Sequence, residues 1–178
     1  GPRMITKYKI YSGPTIEPVS VLEARNHLRI VVDEDDELIA SLIQAAREQC
    51  EGESRRSFTT RTYEAILDNW PSKNFIKLPQ PPLVSVTSIS YIDYLNVTGV
   101  MSASEYFLDT YSEPGRLCLT DSGEWPSVTL RPYAGIIIRY VAGYGEPIQV
   151  PEVYKRAMLL MIGHLYENRE TVIVQQGV

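Results

Sequence analysis

The chain has 178 residues, 44% of them hydrophobic and 22% charged, which fits an ordinary globular protein and excludes a fibre or a disordered tail. Its 17 Lys plus Arg against 22 Asp plus Glu give a formal net charge of −5, which disfavours any protein that must wrap DNA phosphates over a broad basic surface. No apolar run approaches the ~20 residues of a membrane span and no signal-peptide pattern opens the chain, so a cytosolic setting is expected.

In chain order, Gly1-Pro2 before Met4 resembles a protease-cleavage scar, and residues 1–17 read as an N-terminal arm. Ser20 followed three residues later by Glu23 is a capping box, in which each side chain satisfies a backbone N–H of the other. It predicts a helix over about 20–30 with a narrow apolar stripe at Val21, Ala24 and Leu28. The acidic run Asp33–Glu37 predicts a second helix start, because negative charge suits the positive end of the helix dipole. That helix is expected to reach about residue 56, with Leu38, Leu42, Ala45, Ala46 and Gln49, flanked by Ile39, Ile43 and Cys50, as its apolar face and Arg55 and Arg56 closing it.

Beyond it the period falls from about 3.6 to 2, and Pro, Gly and Tyr become frequent. Strands are predicted at 60–67, 74–78, 84–93, 106–108, 116–119, 127–130 and 135–141. Glu113-Pro114-Gly115 and Asp121-Ser122-Gly123 supply turns between them. Pro151 then opens a third helix, to about Arg169, with Val153, Ala157, Leu160, Met161, His164 and Leu165 as its stripe. Residues 171–178 form a β-prone tail. The expected class is α+β, a helical bundle made by the N- and C-terminal segments with an inserted, mostly antiparallel β region. Its parts are 18–57 and 148–170 for the helical core and 58–147 for the insertion.

Residues able to carry chemistry are sparse. Cys50 and Cys118 are far apart and form no CxxC, so free thiols are expected rather than zinc or a disulfide. The run Asp33–Glu37 lacks the glycine and glutamate of a calcium loop, whose positions fall on Leu38 and Gln44, and capping is its simpler role. His27 reads as exposed and His164 as a core or interface residue, and two separated histidines make no metal motif. Ser122 is a turn residue, and Gly143-Tyr144-Gly145 runs into Glu146-Pro147 rather than into a phosphate-cradling helix. Asp109 with Glu113, or Asp121 with Glu124, are the nearest approach to an acid pair, and they sit in hairpin-like segments. No catalytic residue, metal site or cofactor is assigned, and no enzyme activity is expected. Arg55, Arg56 and Arg61 form the one compact basic cluster, a candidate for DNA or interface contact. The 12 tyrosines are scattered rather than grouped as a base-stacking platform.

The segments Ile137–Gly145, Val150–Ala157 and His164–Glu170 resemble the C-terminal half of the tailed-phage head-tail connector (adaptor) proteins, the gp6-like and related gp8-like family. Val19–Leu28, the acidic turn and Leu38–Ala46 resemble its N-terminal half. The resemblance spans residues 18–170 in order. It implies a structural protein, found in the virion neck and in the host cytoplasm during assembly. Its copies would form a ring of about twelve below the portal, extending the DNA channel toward a stopper or tail-side connector. DNA would pass without sequence-specific contact and no membrane would be involved. Whether a copy alone stays a monomer before it meets the portal is left open by the sequence, although many assembly proteins wait as monomers. From its β-prone residues, the tail segment Val172, Ile173 and Val174 would either dock on the portal or a neighbouring copy by strand addition or simply fray at the C-terminus. The rival from another class is a small nucleic-acid-binding module using the arginine cluster.

Overall fold

The computed structural model describes residues 7–168. The chain divides into two compact units, one made of the described residues up to Pro14 with Arg55–Gly143, the other of Thr15–Ser54 with the chain from Tyr144. The class is α+β: among the described residues there are three α-helices and antiparallel sheets.

The first unit is built on two sheets. Strands β1 (Lys7–Ser12), β2 (Arg61–Leu67), β4 (Leu83–Ile92), β5 (Thr98–Val100) and β8 (Ile136–Ala142) form a five-stranded sheet in the order β1-β2-β8-β4-β5. Strands β3 (Phe75–Lys77), β6 (Tyr106–Asp109) and β7 (Arg116–Leu119) form a second, in the order β3-β7-β6. Every pairing is antiparallel. Central strand β8 alternates strictly, with Ile136, Ile138, Tyr140 and Ala142 buried, as a side-chain period of 2 requires of a strand whose one face meets a core. Tyr63 and Tyr140 lie opposite each other in the β2–β8 register and stack at 5.5 Å. The Tyr140 hydroxyl donates to the Pro79 carbonyl at 2.7 Å, which gives the polar end of a buried ring a partner. Ile76, Leu78 and Leu117 from the smaller sheet's region join Tyr63, Ile89 and Ile138 in one apolar cluster. On the other face of β2, Lys9, Glu64 and Arg139 stand opposite one another across three strands, and Glu64 pairs with both cations at 3.4 and 2.8 Å. At the end of β8, Gly143 has φ +134° and a Cβ there would lie 2.6 Å from the Thr60 backbone, so the position requires glycine.

Strands β1 and β5 go beyond the predicted set. β1 lies in what the sequence suggested was an arm, and all six of its residues are exposed. An edge strand with little buried surface carries little hydrophobic signal. The predicted strand at 127–130 does not form, and only Leu130 makes a bridge, to Asp93. Pro126 and Pro132 flank that stretch, and neither can donate a backbone hydrogen bond.

The second unit holds helices α1 (Val21–Leu28), α2 (Asp36–Ser54) and α3 (Glu152–Glu167). The capping box of α1 is present: Glu23 N–H donates to Ser20 Oγ at 3.0 Å and Ser20 N–H donates to Glu23 Oε1 at 3.3 Å. Helix α2 starts at Asp36 rather than at the head of the acidic run and ends at Ser54, with no basic residue in its last turn. Arg55 follows at φ 56°, outside the helix. The buried face of α2 is Ile39, Leu42, Ile43, Ala46, Arg47 and Glu51, whereas Gln49 is exposed. Burial reaches Arg47 and Glu51 because they neutralise each other at 3.1 Å, with Glu17 adding a second carboxylate at 2.6 Å.

The phase of α3 differs from the predicted stripe. Met158 and Ile162 are buried, while Val153 and Leu160 are 68% and 69% exposed, and Ala157 and His164 are exposed with them. This helix is apolar nearly all round, so periodicity offers two stripes and the packing against α1 and α2 selects one.

Candidate functional site

The arginine cluster does not present one basic surface. Arg61 opens β2 on the inward side with Tyr63 and is 4% exposed, its guanidinium 5.8 Å from the Tyr63 ring centroid. Arg56 is held in an ion pair with Glu113, whose carboxyl it draws below the usual carboxylate range. Arg55 is exposed. Three arginines close in sequence thus divide among a core edge, a cross-loop ion pair and solvent.

The carboxylates weighed as an acid pair are likewise placed. Asp109 accepts hydrogen bonds from the Ser112 hydroxyl at 2.6 Å, Arg116 Nε at 2.9 Å and the backbone N–H of Tyr111 at 3.0 Å. The hydroxyl first, then the guanidinium, hold its carboxyl far below the usual range. Such a group is a poor proton donor and serves as the anchor of a turn. Asp121 and Glu124 are exposed, and the Glu124 N–H donates to Glu105 at 3.1 Å. In the acidic run, Asp35 accepts the Tyr166 hydroxyl at 2.6 Å and Asp36 pairs with Arg25 at 3.2 Å. These carboxylates tie the three helices of their unit together. His27 is exposed as expected, and His164 is exposed too, which removes the core half of its core-or-interface reading and follows from the phase of α3. Burial raises the thiols of Cys50 and Cys118, and both cysteines are free. Among the described residues, no group of three or more His, Cys, Asp or Glu is placed to hold a metal ion, and no helix is long and apolar enough to cross a membrane. Val172, Ile173 and Val174 lie outside the described residues.

What the described residues offer instead is exposed apolar side chains on ordered elements. The β4–β5 hairpin carries Tyr94, Leu95 and Val97, each at least 60% exposed. Its turn is fixed by Asp93, which accepts from the Leu95 and Val97 N–H groups at 2.9 Å, and by Tyr94 N–H donating to Thr129. Because the backbone of the turn is already ordered, docking there costs side-chain entropy but little loop-ordering entropy. In the helical unit, Val153 and Leu160 stand exposed on α3. An open groove of about 220 Å³ is lined by Ile16, Val19, Val21, Ile43 and Pro147, with Glu17 and Glu23 at its margin. Sequence reasoning missed the hairpin, although apolar residues in a turn with no periodic partner were a usable signal.

The fold is that of particle-neck proteins. A chain in the structure of the neck of an empty gene transfer agent particle, computed with C6 symmetry, superposes with TM-score 0.81 at 21% identity, covering 92% of this chain and 85% of that one. A chain of the native particle's neck, computed with C12 symmetry, gives TM-score 0.77 at 22% identity over 92% and 85%. A chain from the native virion gives TM-score 0.77 at 22% identity over 91% and 84%. No curated protein sequence matches. Residues 19–114 match the phage gp6-like head-tail connector family, and the chain belongs to that family. It is a structural head-tail connector.

Proposed function

We propose that copies of this chain form a ring of about twelve in the neck of a tailed-phage or phage-like particle, below the portal, joining it to a stopper or tail-side connector. The carrying observation is that the connector fold extends over nine-tenths of the chain in likeness to neck proteins whose particles were computed with C6 and C12 symmetry. Closed rings are the natural product of repeated head-to-tail contacts, and this chain displays exposed apolar side chains on ordered elements. The protein acts by shape and catalyses no reaction. DNA passes through the ring without sequence readout, and the net charge of −5 suits a path along which phosphates slide rather than adhere. Val172, Ile173 and Val174 dock on the portal or a neighbouring copy. Of the arginine cluster, exposed Arg55 is the member available for an interface. Assembly begins from monomers in the host cytoplasm and ends in the virion.

Electron microscopy of particles from cells with and without the gene tests this reading. The expected result is a ring at the neck, and DNA-filled heads without tails when the gene is deleted. Normal tailed particles from the deletion would reject it. Truncation after Arg169 should leave a folded protein that fails to join heads to tails; an unchanged particle yield would remove the role of the tail. Tight binding of free duplex DNA with a steep salt dependence would favour the nucleic-acid-binding alternative.

A further inference from the structure

The ring proposed above needs two different complementary faces on each copy, because a head-to-tail contact joins one patch to another rather than a patch to itself. The helical unit carries such a pair. On α3, Val153, Ala157, Leu160 and His164 recur at i, i+4, i+7 and i+11 and are all exposed. At 3.6 residues per turn this stripe lies about half a turn away from buried Met158 and Ile162, so it points away from the helix's own packing. Arg156 flanks the stripe, is exposed, and makes no ion pair among the described residues. The groove is the counterpart, with apolar walls from Ile16, Val21, Ile43 and Pro147 and two acids at its margin. Glu17 already meets Arg47 at 2.6 Å and Glu23 meets Lys155 at 3.8 Å, yet their carboxylate side chains remain 31% and 46% exposed, so a further cation can share them from the solvent side.

We propose that the α3 stripe of one copy lies in this groove of the next copy, as a helix in a groove, with Arg156 meeting Glu17 and Glu23. An amphipathic helix presenting anchors at these spacings is a standard way to fill an apolar groove, and the opposite charges at the margin fix which way it lies. Stripe and groove are separate surfaces, so each copy donates one and receives one, and the contact propagates instead of stopping at a two-fold dimer. The inference rests on the ring reading, and its test separates the two.

The full chain is expressed in particle-producing cells in a background of Cys50→Ser and Cys118→Ser, carrying Leu160→Cys, Ile16→Cys or both. After mild oxidation of purified particles, the double variant should give a ladder of dimers and higher multiples on a non-reducing gel, and neither single variant should. A dimer from Leu160→Cys alone would mean that stripe meets stripe and would overturn the proposal. No ladder in particles whose micrographs show a ring would overturn this interface and leave the ring intact; no ring at all would remove both. As a second measurement, Leu160→Glu should melt within about 2–4 °C of wild type yet enter particles at least ten-fold less. Normal incorporation of that folded variant would refute the contact.

Discussion

Helix α3 supplies the sharpest test of the packing, because neighbouring residues of equal hydrophobicity have opposite fates. Ile162 is 0% exposed and Leu160 is 69% exposed. Truncating Ile162 to Ala deletes three carbons from a closed site, a transfer loss of about 2.4 kcal/mol at ~0.8 kcal/mol per buried CH₂. The cavity left behind raises this into the range of about 3–4 kcal/mol. Leu160→Ala deletes the same number of carbons, but roughly a third of that surface is buried, so the loss is about 0.8 kcal/mol before correction. Alanine is the better helix former by a small margin, which brings the expected net cost to roughly 0.5 kcal/mol. Urea unfolding of the purified protein, followed by helix circular dichroism, reads both, since the two substitutions leave the m-value unchanged while moving the midpoint. Equal costs, or a larger cost at Leu160, would place the wrong stripe inside and refute the packing of this unit.

Three further outcomes follow from individual contacts. Arg47→Ala removes the cation that Glu17 and Glu51 share, and removing one partner of such a largely buried set should cost about 3–5 kcal/mol by the same denaturation assay; a loss below 1 kcal/mol would show that the carboxylates are solvated. Ser20→Ala removes the Ser20 half of the capping box and should cost about 1 kcal/mol, whereas an unchanged midpoint would mean that α1 is held by packing alone. Glu64, Asp109 and Glu113 all have carboxyls lowered by their partners, chiefly Arg139, the Ser112 hydroxyl and Arg56 in turn. A group lowered on folding contributes stability that is present above its unfolded value, about 4 for Asp and Glu, and is lost as pH falls through the folded value. Melting temperature should therefore drop as pH falls below about 4, and Asp109→Asn should be less stable than wild type at pH 7 but converge with it in acid. A parallel decline of the two proteins would reject the role given to Asp109.

Local rules were legible wherever the deciding partners lie within a few residues. The Ser20–Glu23 box, the start of α3 after Pro151 and the alternation of β8 each depend on backbone chemistry or a fixed side-chain period, and each is found in the structure. The inward position of Arg61 was also readable, since a period of 2 places it on the face of Tyr63 and Ala65. Counting it with Arg55 and Arg56 as one cluster ignored that alternation.

The amino-acid order by itself determined the α+β class, the sites of the three helices and most strands, because short-range periodicity and caps carry that information, and its local strings in their order carried the resemblance to head-tail connectors. Only the tertiary structure decided which stripe of α3 is buried, that residues 7–12 add an edge strand, and that Asp109, Asp35 and Arg56 are tied into turns and ion pairs. Those outcomes turn on partners distant in the chain: a helix apolar on several sides takes its orientation from what packs against it, and a charged side chain takes its role from the opposite charge that folding brings within reach.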